Sequence, residues 1–238
     1  EYQRLGRLSH AFAWMADLSL IYLGGDLKRK ERLSARLADG MSYLYLAMAA
    51  LRMAERSGHN EDECLHAKWA TAYCFYHAQH SLIALTHNMP SKLLGTMMRL
   101  LAFPFGQTMR MPSDKLSHQL AKLMTSNNNY RNELKKQVFL SADPSQPVDR
   151  MEHALQLIIG SDALAEKYKD IKRCSLTQLK ESLQNKVQLG ELSETELEQI
   201  VAKEEARWDA VLVDEFTFDS MKKKHFNSVI DSIHSPLL

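Results

Sequence analysis

Three amphipathic stretches fill Arg4 to Asn88 with almost nothing between them, and few folds accommodate such a run. In the first, Leu5, Leu8, Phe12, Met15, Ser19 and Tyr22 recur at alternating steps of three and four. That spacing lines one side of a helix over about Arg4 to Leu23. Gly24-Gly25 stops it, and Asp26 is placed to cap a second helix from about Leu27 to Ser57. There Leu33, Leu37, Met41, Leu44, Met48 and Leu51 form the apolar stripe, with Lys28, Arg29, Arg32 and Arg36 on a neighbouring face. Gly58 ends that helix, and Asn60 is placed to cap a third, from about Glu61 to Asn88. Long helices joined by turns of a few residues pack as antiparallel neighbours, so the sequence predicts a helical bundle.

Beyond Pro90 the elements shorten. Leu93 to Phe105 is strongly apolar and is closed by Pro104, Gly106 and Pro112. Ser113-Asp114 opens a helix to about Thr125, which Asn127 to Asn129 breaks. Further helices are predicted at about Val148–Ile159, Asp162–Arg173, Leu176–Leu189 and Ser193–Asp219, the last opened by the capping box Ser193-Glu-Thr-Glu196. No stretch alternates like a strand between turn signals. The predicted fold is all-α, an antiparallel bundle of long helices followed by shorter ones. Asp143-Pro-Ser-Gln-Pro147 is the clearest loop and marks the expected boundary between a bundle over residues 1–140 and a smaller helical region over residues 141–238.

Charge divides at the same place. Residues 1–140 carry 18 Lys and Arg against 11 Asp and Glu, whereas residues 141–238 carry 12 against 18. The overall balance is only +1, and no aromatic residue interleaves with the basic cluster, so a nucleic-acid partner is not expected. Three cysteines without a CxxC fit a reducing compartment. No apolar run is long enough to span a bilayer, and no charged-then-apolar leader opens the chain. Starting at Glu1 within a helical pattern, the chain reads as a piece of something longer.

Catalytic signatures are sparse. There is no GxGxxG, no GxxxxGK[ST], no GxSxG and no HExxH. Glu63-Cys-Leu-His66 is a single Glu-x-x-His, and a di-iron bundle needs two with further glutamates. His66, Tyr73, His77, His80 and His87 share one side of the third helix; they read as a boundary face over aromatic neighbours, with a metal at His66, His77 and His80 as the rival. Asp17 reads as a satisfied polar residue within the bundle. No catalytic, cofactor or metal residue is therefore assigned. Two surfaces are. Lys28, Arg29, Arg32 and Arg36 form a candidate surface for an anion or a partner. The stretch containing Leu93, Leu94, Met97, Leu101 and Phe103 reads as an inner bundle helix, or alternatively as one lying in a membrane interface with Lys92, Arg99 and Arg110 at headgroups.

Three segments together resemble one family. They are Arg7-Leu-Ser-His-Ala-Phe-Ala-Trp-Met-Ala-Asp17, then Leu23-Gly-Gly-Asp-Leu-Lys-Arg-Lys-Glu-Arg-Leu-Ser-Ala-Arg-Leu-Ala-Asp39, and Phe103-Pro-Phe-Gly106 followed by Pro112-Ser-Asp-Lys-Leu-Ser-His118. In this order and spacing they look like the carboxy-terminal region of the large bacterial long-chain acyl-CoA dehydrogenases. The likeness is most specific over about 5–60 and 99–125, continues to about 170 and thins over the last 60 residues.

The resemblance implies a parent enzyme that holds FAD and oxidises long-chain fatty acyl-CoA to trans-2-enoyl-CoA in β-oxidation. A glutamate removes the α proton, and the β hydride passes to flavin N5. That glutamate and most flavin contacts belong to the dehydrogenase core preceding the matched region, so no catalytic residue is carried over and the piece by itself is expected to be non-catalytic. The implied partners are its own dehydrogenase core and further copies in a homo-oligomer. The implied place is the bacterial cytoplasm, with peripheral contact at the inner membrane. The rival is a stand-alone helical adaptor that binds an anionic partner through Lys28–Arg36.

Overall fold

The computed structural model describes residues 1–211 apart from 57, 59, 142, 144–145, 165–167, 170 and 172–175. Among the described residues no strand forms, and the protein is all-α. Two compact units divide the chain, Glu1–Lys135 and Lys136–Leu238.

The first unit contains α1 (Tyr2–Leu23), α2 (Asp26–Arg29), α3 (Glu31–Arg56), α4 (Glu61–His87), α5 (Lys92–Ala102), α6 (Asp114–Thr125) and α7 (Asn129–Lys135). Helices α3 and α4 form its most extensive pairing, and α1 packs on both. Gly40 meets Leu82 while Tyr43 meets Tyr73, so numbers fall along α4 as they rise along α3. The two helices therefore run antiparallel, as their short connection requires. The core gathers Leu8 and Met15 from α1, Leu33 and Leu44 from α3, and Phe75, Leu82 and Leu85 from α4. Each large side chain removed from water stabilises the bundle by about 1.5–3 kcal/mol. Buried hydroxyls are satisfied locally, Ser19 donating to the Met15 carbonyl at 2.7 Å and Thr71 to that of Ala67 at 2.7 Å.

Several local expectations change in the structure. The helix predicted from Leu27 to Ser57 is broken at Lys30 (φ −90°, ψ 63°), which separates α2 from α3. Asp26 is the first residue of α2 rather than its cap. Ser34 Oγ ties the two pieces together by donating to the Leu27 carbonyl at 2.7 Å. On α3 the buried line runs through Leu33, Gly40, Leu44, Ala47 and Ala54, whereas Met41 and Met48 are exposed. Small residues take the inner face because α3 and α4 approach closely along it, and a long side chain there would hold them apart. Tyr22 and Asp17 also lie on exposed positions of α1. The Asn127–Asn129 break is followed by a short helix that the periodicity did not suggest. Asn128 builds it by accepting from the Arg131 amide at 2.7 Å and donating to the Leu123 carbonyl at 2.6 Å.

The second unit contains α8 (Pro147–Gly160), a 3₁₀ turn at Asp162–Leu164, α9 (Leu176–Gln188) and α10 (Glu194–Val211). Helix α10 packs against α8 and α9, with Leu183, Leu192 and Ile200 at the centre of a small core. The expected capping box is present: Ser193 Oγ accepts from the Glu196 amide at 3.2 Å, and Glu196 accepts from the Ser193 amide at 2.9 Å. Of the helix expected over Asp162–Arg173, the 3₁₀ turn is described and most of the rest lies outside the described residues. The continuation expected from Val211 to Asp219 also lies outside them.

Candidate functional site

Helix α5 begins immediately after Pro90, where Ser91 Oγ accepts from the Leu94 amide at 3.3 Å. Eleven residues give it about three turns, and it packs on α4 through one side. Met98 is fully buried there, Phe103 follows it into the core, and Leu94 packs beside them. Leu93, Met97 and Leu101 lie on the other side, Leu93 at 75% and Leu101 at 66% exposure, and Phe105 just beyond at 87%. The helix is therefore buried along one side, where the sequence predicts an inner helix buried on most sides. Steps of four from Leu94 lead inward, to Met98 and Ala102, and those from Leu93 lead outward, to Met97 and Leu101, because α4 offers a single surface to pack on.

The basic residues are divided by the Lys30 break, Lys28 and Arg29 on α2 and Arg32 and Arg36 on α3. Arg29, Arg32 and Arg36 nevertheless line one groove of about 440 Å3, together with Lys30, Glu31, Leu33, Asn88 and Pro90. Lys28 is exposed and is not part of its lining. Arg36 donates to the Arg32 carbonyl at 3.0 Å, and Arg29 lies 3.8 Å from Asp26 on the surface. The contribution of the α4–α5 turn to this groove was not visible in the sequence, since it comes from more than fifty positions downstream.

The histidines of α4 turn to different neighbours. His66 Nδ1 is hydrogen-bonded to the Tyr130 hydroxyl of α7. Burial lowers the His66 pKa and, aided by Glu63 and Asp62, pushes the Tyr130 hydroxyl up to about 12. His77 stacks on Tyr43 at 5.0 Å and leans on Tyr73 at 4.3 Å, while His80 stacks on Tyr76 at 6.0 Å. Among the described residues no three His, Cys, Asp or Glu side chains come together as metal ligands.

One side chain missed by sequence reasoning holds the 106–109 segment against α4. Gln79, 1% exposed on α4, accepts from the amides of Thr108 and Met109 at 3.0 and 2.8 Å. Its amide group donates to the Gly106 carbonyl at 3.0 Å and the Thr108 hydroxyl at 3.3 Å. Gly106 adopts φ 68°, which only glycine does readily, and turns the chain back onto α4. The segment pinned in this way leaves a cavity of about 580 Å3 against α1, with Leu8, Ala11 and Phe103 in its walls. No local pattern marks Gln79, because its four partners come 27 to 30 residues later.

Residues 1–216 match the family described as acyl-CoA dehydrogenase, C-terminal, bacterial type. The chain belongs to this family. No solved structure matches it. Acyl-CoA dehydrogenases imply FAD in the whole enzyme. A dinucleotide pyrophosphate is held by open amides at a helix start. Among the described residues the starts of α4, α5, α6 and α10 are closed by Asn60, Ser91, Ser113 and Ser193, each accepting from its own helix, whereas those of α1 and α8 carry no side-chain cap. No redox step is assigned to these residues.

Proposed function

We propose that this chain is the helical accessory region of a flavin-dependent acyl-CoA dehydrogenase that oxidises long-chain fatty acyl-CoA to trans-2-enoyl-CoA in β-oxidation. Membership of the family over residues 1–216 is the observation that carries this reading. The region supports assembly of the enzyme with its core and with further copies, and it brings the enzyme to the inner face of the bacterial membrane. The outer row of α5 supports the membrane role. Leu93, Met97, Leu101 and Phe105 are exposed, and Lys92 and Arg110 flank them. Eleven helical residues are far short of a span, and no helix among the described residues is long and apolar enough to cross a membrane. Apolar side chains flanked by cations suit an interfacial helix.

The purified whole enzyme is expected to carry FAD and to reduce a dye acceptor with palmitoyl-CoA, while residues 1–238 expressed alone remain colourless and inactive. A whole enzyme without flavin or turnover sinks the dehydrogenase reading. A yellow, active 1–238 piece sinks the accessory assignment.

Membrane contact is tested by flotation of the whole enzyme with anionic vesicles. Met97→Asp with Leu101→Asp is expected to abolish flotation with dye-linked turnover unchanged, because both side chains already face water. Arg32→Glu is expected to weaken it several-fold at low salt and less at high salt, each basic residue near an anionic surface being worth about 1 kcal/mol. Lys28→Glu, outside the groove, has the smaller effect. Flotation indifferent to all three changes rules out the membrane role.

A further inference from the structure

We propose that the cavity between α1 and the 101–109 segment binds a single-chain amphiphile, its alkyl part inside and its anionic head at Arg7 and His10. This goes beyond the dehydrogenase reading and does not depend on it, since every residue involved belongs to this chain.

The cavity is preformed. Its wall at 106–109 is held by the four hydrogen bonds of Gln79, so the space does not depend on a bound ligand to open. At about 580 Å3 it falls within the size of sites that enclose small molecules. Leu8 and Phe103 are buried in its floor, with Ala11, Ala102 and Met109 beside them. An alkyl chain entering there exchanges water for hydrocarbon at about 0.8 kcal/mol per methylene.

The polar groups are unevenly placed. Arg7 and His10 lie three apart on α1, so both project from the same side of the helix. Among the described residues they are the ionisable members of the lining, and no carboxylate lines the cavity. Among the described residues Arg7 makes no ion pair, and His10 Nδ1 is bonded to the Gly6 carbonyl at 2.7 Å. An unopposed guanidinium beside an apolar hollow calls for a ligand that is greasy at one end and anionic at the other. Phe105 and Leu101, both exposed among the described residues, also line the cavity. A bound alkyl chain would cover their inner surfaces.

The test uses the whole enzyme, a diazirine-bearing dodecanoate and the matching dodecanol, with cross-links mapped to peptides. Dodecanoate is expected to label α1 around Trp14 and the 101–109 segment. Ala11→Trp, which fills the cavity, removes those labels and leaves any at other sites. Leu101→Lys, at an exposed position that cannot disturb the core, reduces dodecanol labelling at the same peptides. Arg7→Glu lowers dodecanoate labelling about tenfold, the effect of losing about 1.4 kcal/mol, and leaves dodecanol labelling unchanged. The proposal is overturned if these peptides are not labelled, as when another part of the enzyme fills the cavity. It is also overturned if the labels survive both Ala11→Trp and Leu101→Lys, or if Arg7→Glu affects acid and alcohol alike. Protection by inorganic phosphate alone would reduce the site to a simple anion patch and overturn it too.

Discussion

Gly95→Ala is expected to destabilise the first unit by about 3 kcal/mol, at the upper end for overfilling a packed site. Gly95 is buried where α5 crosses the end of α4. A methyl group there would collide with the carbonyl oxygen of Thr86 and stand 3.3 Å from the Met89 Cβ. Thr86 O is backbone at the last turn of α4, where it also accepts from the Asn88 amide. It cannot rotate aside as a side chain would, so α5 must lift away from α4. The inherent preference of helices for alanine returns only about 1 kcal/mol. Gly6→Ala isolates that preference, since nothing lies within 4 Å of a methyl group at Gly6 in α1. It is expected to stabilise by about 0.5–1 kcal/mol. Denaturant unfolding of both variants checks the pair. Equal stability of Gly95→Ala and the parent would mean that α5 does not approach α4 as described.

Gln79→Leu removes four hydrogen bonds while keeping most of the side-chain volume. The lost partners are two backbone amides, one carbonyl and one hydroxyl. Each buried group left without a partner costs about 1–3 kcal/mol, but Thr108 is exposed and water can reach part of the segment. A net loss of about 2 kcal/mol is expected, with helicity retained and the 106–109 segment released from α4. Hydrogen exchange at the Thr108 and Met109 amides reads this directly. Their exchange is expected to accelerate, while the Leu82 and Leu85 amides stay protected in native conditions. Unchanged protection at Thr108 and Met109 would show that Gln79 does not hold the segment.

Local chemistry was legible wherever a residue acts on its own neighbourhood. Asn60, Ser113 and the Ser193–Glu196 box cap helices as their types and spacing predict. The stripe of α1 contributes Leu5, Leu8, Met15 and Ser19 to the buried face. The three motif segments carried the family, which the match over 1–216 shows. The candidate surfaces were only half legible. The basic cluster was recognised by composition, yet its break at Lys30 and its groove with Asn88 and Pro90 were not. The reason is that Lys30 carries no breaking signal of its own, and the other wall is distant in sequence.

By itself the sequence determined that this chain is helical, where most helices begin, and which family it belongs to, because caps, periodicity and motifs act over a few residues. Only the tertiary structure decided which apolar face is inside. In α3 it chose Gly40 and Ala47 over Met41 and Met48, and in α5 it chose Leu94 and Met98 over Leu93 and Met97. Hydropathy cannot rank two apolar faces of one helix. The choice follows from how closely the backbones approach, at Gly40 against Leu82 and at Gly95 against Thr86, and from a glutamine whose partners lie some thirty residues away.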